Sequence, residues 1–179
     1  MFLTTGYFVL DLIIKFLVGI TSSFVFVFVI LQIMKPKIKI SDKICYKLDK
    51  KGNKFYYFKV VNMSIYDAYN VDFELQKKDP YIVDKVKVNH NIDVIKLSAD
   101  GVYSIPRHKK ENGYGDHAVL IRTYIDLSED IDKDNLEFVL YVSAKHGLSN
   151  LTKVTTQSFD NSTVFKAGSF KFGSNREVC

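Results

Sequence analysis

The side chains that could do chemistry are few, and their spacing matches no known catalytic or metal-binding motif. The 179-residue chain contains two cysteines and four histidines. It lacks H-E-x-x-H, C-x-x-C and G-x-S-x-G, as well as the phosphate-binding motifs G-x-G-x-x-G and G-x-x-x-x-G-K-S/T. We therefore assign no catalytic, cofactor-binding or metal-ligating residue and predict a protein that is not an enzyme. The histidines, which we expect to be solvated loop residues, are His90, His108, His117 and His146.

An acidic run from Asp126 to Glu137 has the alternating carboxylates of a calcium loop. Counted from Asp130, however, the sixth position is Asn135, where an EF-hand needs Gly. The twelfth is Tyr141 in place of the bidentate Glu. The run therefore predicts an exposed acidic loop rather than a calcium site.

Two groups of cations could contact anionic lipid headgroups. The first alternates along the chain directly after an apolar run, so that its members share one face of an extended segment. The second lies in a predicted loop. Cations beside an anionic leaflet contribute roughly 1 kcal/mol each. The predicted lipid-contact residues are Lys35, Lys37, Lys39, Arg107, Lys109 and Lys110.

The alternative is that these lysines only fix membrane topology and that the loop is solvated. A net charge of +5 would also permit nucleic-acid binding. Since no recognised nucleic-acid module accompanies it, we expect no nucleic-acid partner.

A membrane anchor must position these cations. From Phe16 to Met34 the chain runs nineteen residues without an ionisable side chain, close to the roughly 20 residues that cross a bilayer. The opening segment carries no basic residue, and no small-residue cleavage site follows the run, so we predict an uncleaved signal anchor. The predicted helix extends from about Tyr7 to Met34 and ends before Pro36.

Inside this helix, Asp11 and Lys15 have the spacing of a same-face ion pair. Small and hydroxyl side chains allow helices to approach closely in lipid, so self-association is a second prediction. The alternative is that the hydroxyl groups bond back to their own helix. The residues concerned are Gly19, Thr21, Ser22 and Ser23.

Charge predicts the orientation of the anchor. Nine lysines lie between Lys35 and Lys59, against two aspartates, whereas only Lys15 and the terminal amine precede the apolar core. Because Lys and Arg collect on the cytoplasmic side, we predict a single-pass protein of the cell (inner) membrane, N-terminus outside and C-terminal domain cytoplasmic. The opposite orientation would expose N-x-S/T sequons at Asn62, Asn150 and Asn161 to glycosylation.

Residues 36–179 change to a two-residue hydrophobic period. The alternation of Val71, Phe73 and Leu75 with polar neighbours indicates a half-buried strand. Further strands are predicted at 37–47, 55–62, 85–88, 94–97, 102–105, 117–125, 136–144, 151–159 and 163–172, separated by turns that include Asp79-Pro80. The fold class is thus an all-β soluble domain, an immunoglobulin-like β-sandwich over 36–179, with one N-terminal transmembrane α-helix in residues 1–35.

Residues 138–159 read FVLYVSAKHGLSNLTKVTTQSF, and residues 168–173 read GSFKFG. This succession resembles the end of the cytoplasmic immunoglobulin-like domain of inward-rectifier potassium channels, where a Thr-rich strand precedes an aromatic-Gly-aromatic strand. The resemblance covers about the last forty residues and implies an immunoglobulin-like sandwich near the inner leaflet. The chain lacks a second apolar span and a T-x-G-Y/F-G selectivity-filter sequence. The resemblance therefore does not imply potassium conduction.

The functional expectation is a membrane-tethered interaction module without cofactor that binds a protein partner or anionic lipid. The helix would confine the domain to the surface and raise its effective concentration there. The alternative is an oligomeric membrane effector or pore, with the β domain as sensor or assembly domain.

Overall fold

The structure, a computed structural model, describes residues 2–83, 86–109, 115–128, 130, 136–147, 149–160 and 162–179. It divides into two compact units, Met1–Lys35 and Pro36–Cys179.

The first unit is a single helix, α1, from Phe2 to Ile33. Its segment Tyr7–Ile33 has a mean hydropathy of 2.4 and none of it is buried. At 1.5 Å per residue, these 27 residues extend about 40 Å, which is long enough to cross a membrane. The ion pair between Lys15 and Asp11 forms, with Nζ 2.7 Å from Oδ2. The helix begins five residues earlier than predicted.

The described residues of the second unit form ten strands in two sheets. The strands are β1 Ile38–Ile40, β2 Ile44–Leu48, β3 Lys54–Asn62, β4 Ala68–Val83, β5 Val86–Ile95, β6 Gly101–Ile105, β7 Ala118–Thr123, β8 Glu137–His146, β9 Thr152–Phe159 and β10 Phe165–Ala167. In the first sheet, β3 pairs with β1, β2 and β7, and β10 joins β2 in parallel. In the second, β4 pairs with β5, β6 and β8, and β9 joins β8. An all-β domain with one N-terminal helix is thereby confirmed.

Both sheets contribute to one hydrophobic core. The alternation predicted in β4 is confirmed, because Val71, Phe73 and Leu75 are all buried. The fully buried rings of Phe58 from the first sheet and Phe159 from the second have centroids 5.7 Å apart. This aromatic contact joins the inner faces of the two sheets.

The prediction that a turn at Asp79-Pro80 ends the β4 strand is wrong. Strand β4 continues to Val83, and Pro80 pairs with His90 of β5. The neighbour on the other side, β8, pairs with β4 only as far as Lys78. Among the described residues, Pro80 therefore lies where β4 has one neighbouring strand, and the N–H that proline lacks removes no hydrogen bond to a second strand. Beyond Lys78, the described parts of β4 and β5 form a two-stranded ribbon.

The domain has two distinguishable ends. At the first, which we name the attachment end, the chain enters at Lys37: the Lys37 amide donates to Ser64 Oγ at 2.7 Å, and the His108 amide donates to the Ser64 carbonyl at 3.0 Å. Ile38 pairs with Asn62 at the end of β3. The far end holds the turn before Lys54, at the start of β3, and the β4–β5 ribbon.

Candidate ligand-binding cleft at the attachment end

A cleft of about 870 Å³ opens at the attachment end of the domain. This volume lies within the range of small-molecule sites. Its walls come from the chain after β3, the start of β4, the end of β6 and the β8–β9 connection. Its most prominent side chains are three tyrosines and three cations, namely Tyr66, Tyr69, Tyr103, Arg107, Lys109 and Lys145.

The tyrosine rings are held in place by edge-on contacts. Tyr69 and Tyr103 meet at a centroid distance of 6.0 Å and an interplanar angle of 75°. Tyr66 meets His146 at 4.9 Å and 89°. Gly147 allows Tyr69 to approach its backbone, since a Cβ there would lie 2.8 Å from the Tyr69 ring. Tyr103 nevertheless remains 79% exposed, so much of its ring surface is available to a ligand.

Cations dominate the charge of the described cleft lining. Within the described part of the chain, Arg107, Lys109 and Lys145 make no ion pair. Among the described residues that line the cleft, one carries a carboxylate: Asp67, whose Oδ1 accepts the Arg107 backbone N–H at 2.8 Å and so fixes the start of the basic loop. The balance of charge favours an anionic ligand.

Two backbone irregularities converge on this cleft. Among the described residues, the only non-glycine positions with positive φ are Asn70 (44°) and Asn150 (55°), and both line it. The register between β4 and β8 also shifts between Tyr69 and Asp72. Asn is among the residues that adopt this conformation most readily. Such irregularities concentrate at ligand sites, where a specific backbone shape is needed.

The buried side chain of Asn62 ties the cleft segments together. Its Nδ2 donates to the carbonyls of Tyr66 and Ile105, both at 3.0 Å, and to that of Pro106 at 3.1 Å. Its Oδ1 accepts the Ser64 amide at 2.9 Å. The sequence had drawn attention to Asn62 only as a sequon; in the fold its amide is fully used inside the domain.

The predicted lipid-contact residues fall into distinct places. Arg107 and Lys109 line the cleft. Lys37 and Lys39 are exposed on either side of the buried Ile38, also at the attachment end. Lys35 belongs to the helical unit, where its Nζ donates to Gln32 Oε1 at 3.1 Å.

Lys110 lies outside the described residues. The three tyrosines and Lys145 were not predicted as site residues, because nothing local distinguishes them from other strand and turn residues.

The predicted self-association residues divide between two faces of α1. Gly19 and Ser23 border one shallow groove on the helix surface, whereas Thr21 and Ser22 are not part of it. The Thr21 hydroxyl donates to the Leu17 carbonyl at 2.8 Å, and the Ser23 hydroxyl donates to the Gly19 carbonyl at 2.9 Å. Backbone bonding within the helix therefore accounts for two of the hydroxyl groups.

The prediction of solvated histidines is wrong for His117 and His146, which are 4% and 2% exposed. The Nε2 atoms of His117 and His108 both lie near Ser174 Oγ, at 3.1 and 3.0 Å. His117 lies against Ser174 of the C-terminal segment and His146 against Tyr66, and local sequence reveals neither contact. Within the described residues, no group of three or more His, Cys, Asp or Glu side chains could hold a metal ion.

Lys59 is buried beneath the same C-terminal segment. Its Nζ donates to the carbonyls of Lys171 and Asn175 at 2.5 and 2.6 Å, and burial lowers its pKa. Burial also lowers the pKa of His117, as do the charges of His108 and Lys59, while Asp116 opposes the shift. The buried histidine is thus held in its neutral form to lower pH than in an unfolded chain.

This environment predicts an acid-sensitive fold. As pH falls below the unfolded value of 6.5, the unfolded chain protonates His117 before the folded domain does, so the free energy of unfolding should decrease. Urea denaturation of the full chain in nonionic detergent at pH 7.5 and 5.5 would measure the loss. His117→Gln, which keeps an amide near Ser174, should reduce it. An unchanged pH dependence in that variant would contradict the assignment.

No protein-family profile matches this chain, and no curated protein matches it in sequence.

Proposed function

We propose that this chain is a single-pass, membrane-anchored interaction module, without enzymatic activity, whose β domain binds anionic lipid headgroups at the membrane surface. The observation that carries the proposal is the convergence of exposed cations at the attachment end. Lys37 and the loop bearing Arg107 are both hydrogen-bonded through Ser64. Only Met34 to Pro36 separate the end of α1 from Lys37, so this end of the domain is joined to the proposed membrane span by a short connection.

Charge and anchoring act together in this proposal. Each Lys or Arg beside an anionic leaflet contributes about 1 kcal/mol. A tethered domain samples the surface at high effective concentration, so even weak individual contacts suffice. Lys37, Lys39, Arg107 and Lys109 are all exposed and available for such contacts.

The orientation belongs to the same proposal. The lysine excess after the apolar segment favours a cytoplasmic β domain and an external N-terminus in the cell (inner) membrane. We further propose that the two sheets form an immunoglobulin-like sandwich.

Hydrogen exchange of the full chain in nanodiscs tests lipid binding. Amides of residues 37–40 and 103–109 should exchange more slowly when phosphatidylserine is added to phosphatidylcholine, and high salt should reverse the effect. Combining Lys37→Gln and Lys39→Gln removes two contacts and should lower the bound-to-free ratio of the domain about 30-fold.

The matched control combines Lys50→Gln and Lys51→Gln in the exposed turn of the far end. In this variant the amides of residues 37–40 and 103–109 should remain protected. Equal loss of protection in both double variants would refute binding through the attachment end.

A protein partner is the other class of ligand, and the β4–β5 pair, with the ribbon at its end, is its best candidate surface. Ile92 and Val94 of β5 are 55% and 67% exposed and share one face of the pair, opposite Lys78 and Gln76 of β4. Neighbouring exposed apolar side chains on one face of a sheet can form an interaction site. Crosslinking from native membranes that captures a protein through the ribbon would favour this partner.

Self-association is the second candidate function, with an oligomeric effector or pore as its outcome. The observation that favours it is the groove at Gly19 and Ser23, four residues apart, which would let a second helix approach closely. Crosslinking and liposome dye release test it together. A protein that stays monomeric and releases no dye would eliminate the pore.

A further inference from the structure

We infer that the attachment-end cleft is a specific binding site for a phosphorylated ring compound, such as a sugar phosphate or an inositol phosphate. The phosphate would lie among Arg107, Lys109 and Lys145, and the ring would lie against Tyr103. This inference deepens the proposed function, because a lipid headgroup is one source of the ligand. A soluble phosphate ester would satisfy the same site.

The phosphate part follows from charge and donor type. The described lining of the cleft has three cations and one carboxylate, and that carboxylate, Asp67, accepts the Arg107 backbone N–H. An arginine fork forms paired hydrogen bonds to phosphate oxygens, and lysines add point charges. Lys145 lies on β8, a strand of the sheet, whereas Arg107 and Lys109 lie on the loop after β6. A ligand phosphate would therefore bridge two separate segments.

The ring part follows from the aromatic wall and the size of the cleft. The exposed Tyr103 ring is held edge-on by Tyr69, whose own ring packs on Gly147. Such a ring offers an apolar face to the ring of a ligand and a hydroxyl to its polar rim. A cleft of about 870 Å³ is much larger than one phosphate group needs.

The backbone distinguishes this cleft from a general basic surface. Both positive-φ asparagines of the described chain lie in it, beside the register shift in β4. Asn62 joins the segments that carry Tyr66 and Arg107. A surface that attracted lipid by charge alone would need none of these features. Their coincidence favours a ligand of defined shape.

The test uses the full chain in phosphatidylcholine nanodiscs and calorimetric titration. The probes are glucose 6-phosphate and inositol phosphates, with inorganic phosphate, glucose and inositol as comparison. We expect the phosphorylated rings to bind at least about tenfold more tightly than either half alone. Absence of binding by every phosphorylated ring, or equal binding by inorganic phosphate, would overturn the inference.

Three variants assign the two halves of the ligand. Lys145→Gln should weaken phosphorylated rings and inorganic phosphate alike by about tenfold. Tyr103→Ala should remove the preference for rings while inorganic phosphate still binds. Lys153→Gln, an exposed lysine of β9 opposite Ala144, is the control and should change nothing. Equal loss in Lys145→Gln and Lys153→Gln would indicate general charge attraction and contradict a defined site.

Lipid composition separates the two sources and the two proposals. Nanodiscs containing a phosphorylated phosphatidylinositol should compete with the soluble probe if the headgroup reaches the cleft; a lack of competition assigns a soluble ligand to the same site. Protection by phosphatidylserine without any phosphorylated-ring binding would overturn this inference and leave the proposed function standing. Binding of phosphorylated rings without protection by phosphatidylserine would overturn the proposed lipid binding and leave this cleft as a site for a soluble phosphate ester.

Discussion

Replacing Phe58 by Ala is expected to lower the free energy of unfolding of the β domain by about 3–5 kcal/mol. Phe58 is fully buried on β3, the strand that pairs with three others. Its ring meets Phe159 of the second sheet at 5.7 Å. Truncation would remove apolar contact from both sheets and leave a cavity that the strands cannot close.

The measurement is urea denaturation of the full chain in nonionic detergent, followed by far-ultraviolet circular dichroism. Phe172→Ala is the matched control, because Phe172 is 68% exposed. That variant should lose less than about 1 kcal/mol, since surface changes are usually small. A similar loss in both variants would contradict a shared core between the sheets.

Asn62→Ala is expected to destabilise the domain by about 3 kcal/mol and to abolish ligand binding in the cleft. The change strands the buried Ile105 carbonyl and Ser64 amide, and each unsatisfied buried group costs about 1–3 kcal/mol. The segments carrying Tyr66 and Arg107 lose their common partner as well. Affinity should therefore fall even at temperatures where the variant remains folded.

A second variant separates shape from hydrogen bonding. Asn62→Asp keeps the side-chain volume and the acceptor for Ser64 but replaces the donor to the three carbonyls by an oxygen. We expect it to lose stability and binding as Asn62→Ala does. Asn91→Ala, at an exposed position of β5, serves as control and should change neither. Normal cleft binding in a folded Asn62→Asp protein would show that these hydrogen bonds do not organise the site.

Properties that depend on local sequence were predictable. An apolar run long enough to cross a bilayer needs no tertiary context, and the helix contains it. The same holds for the alternation of Val71, Phe73 and Leu75, since one face of a strand must be buried whatever its partner is. The exposed alternation of Lys37 and Lys39 about Ile38 follows from the same period.

The cleft depends on long-range pairing and was not predictable in the same way. Tyr69 pairs with Ser104 of β6 on one side and with Lys145 of β8 on the other. No local pattern links these positions, which are far apart in the chain. Turn chemistry likewise misled at Pro80, because proline is tolerated where a strand has only one neighbour.

Buried polar side chains were also not predictable from the sequence, and for His117 the expectation of a solvated loop residue was wrong. Lys59, Asn62 and His117 belong to residue types that are usually exposed or only partly buried. Each is buried here because the fold supplies partners from distant segments. Those partners can be identified only once the C-terminal segment and the β6–β7 connection are placed.

Site-specific photo-crosslinking in native membranes tests the central claim most directly. A photo-reactive amino acid would be placed at Lys109, on the cleft at the attachment end, and in a second protein at Tyr81, on the far-end ribbon. Lipid binding at the attachment end predicts lipid adducts at position 109 and none at position 81. Adducts at position 81 alone, or no lipid adduct at position 109, would contradict it.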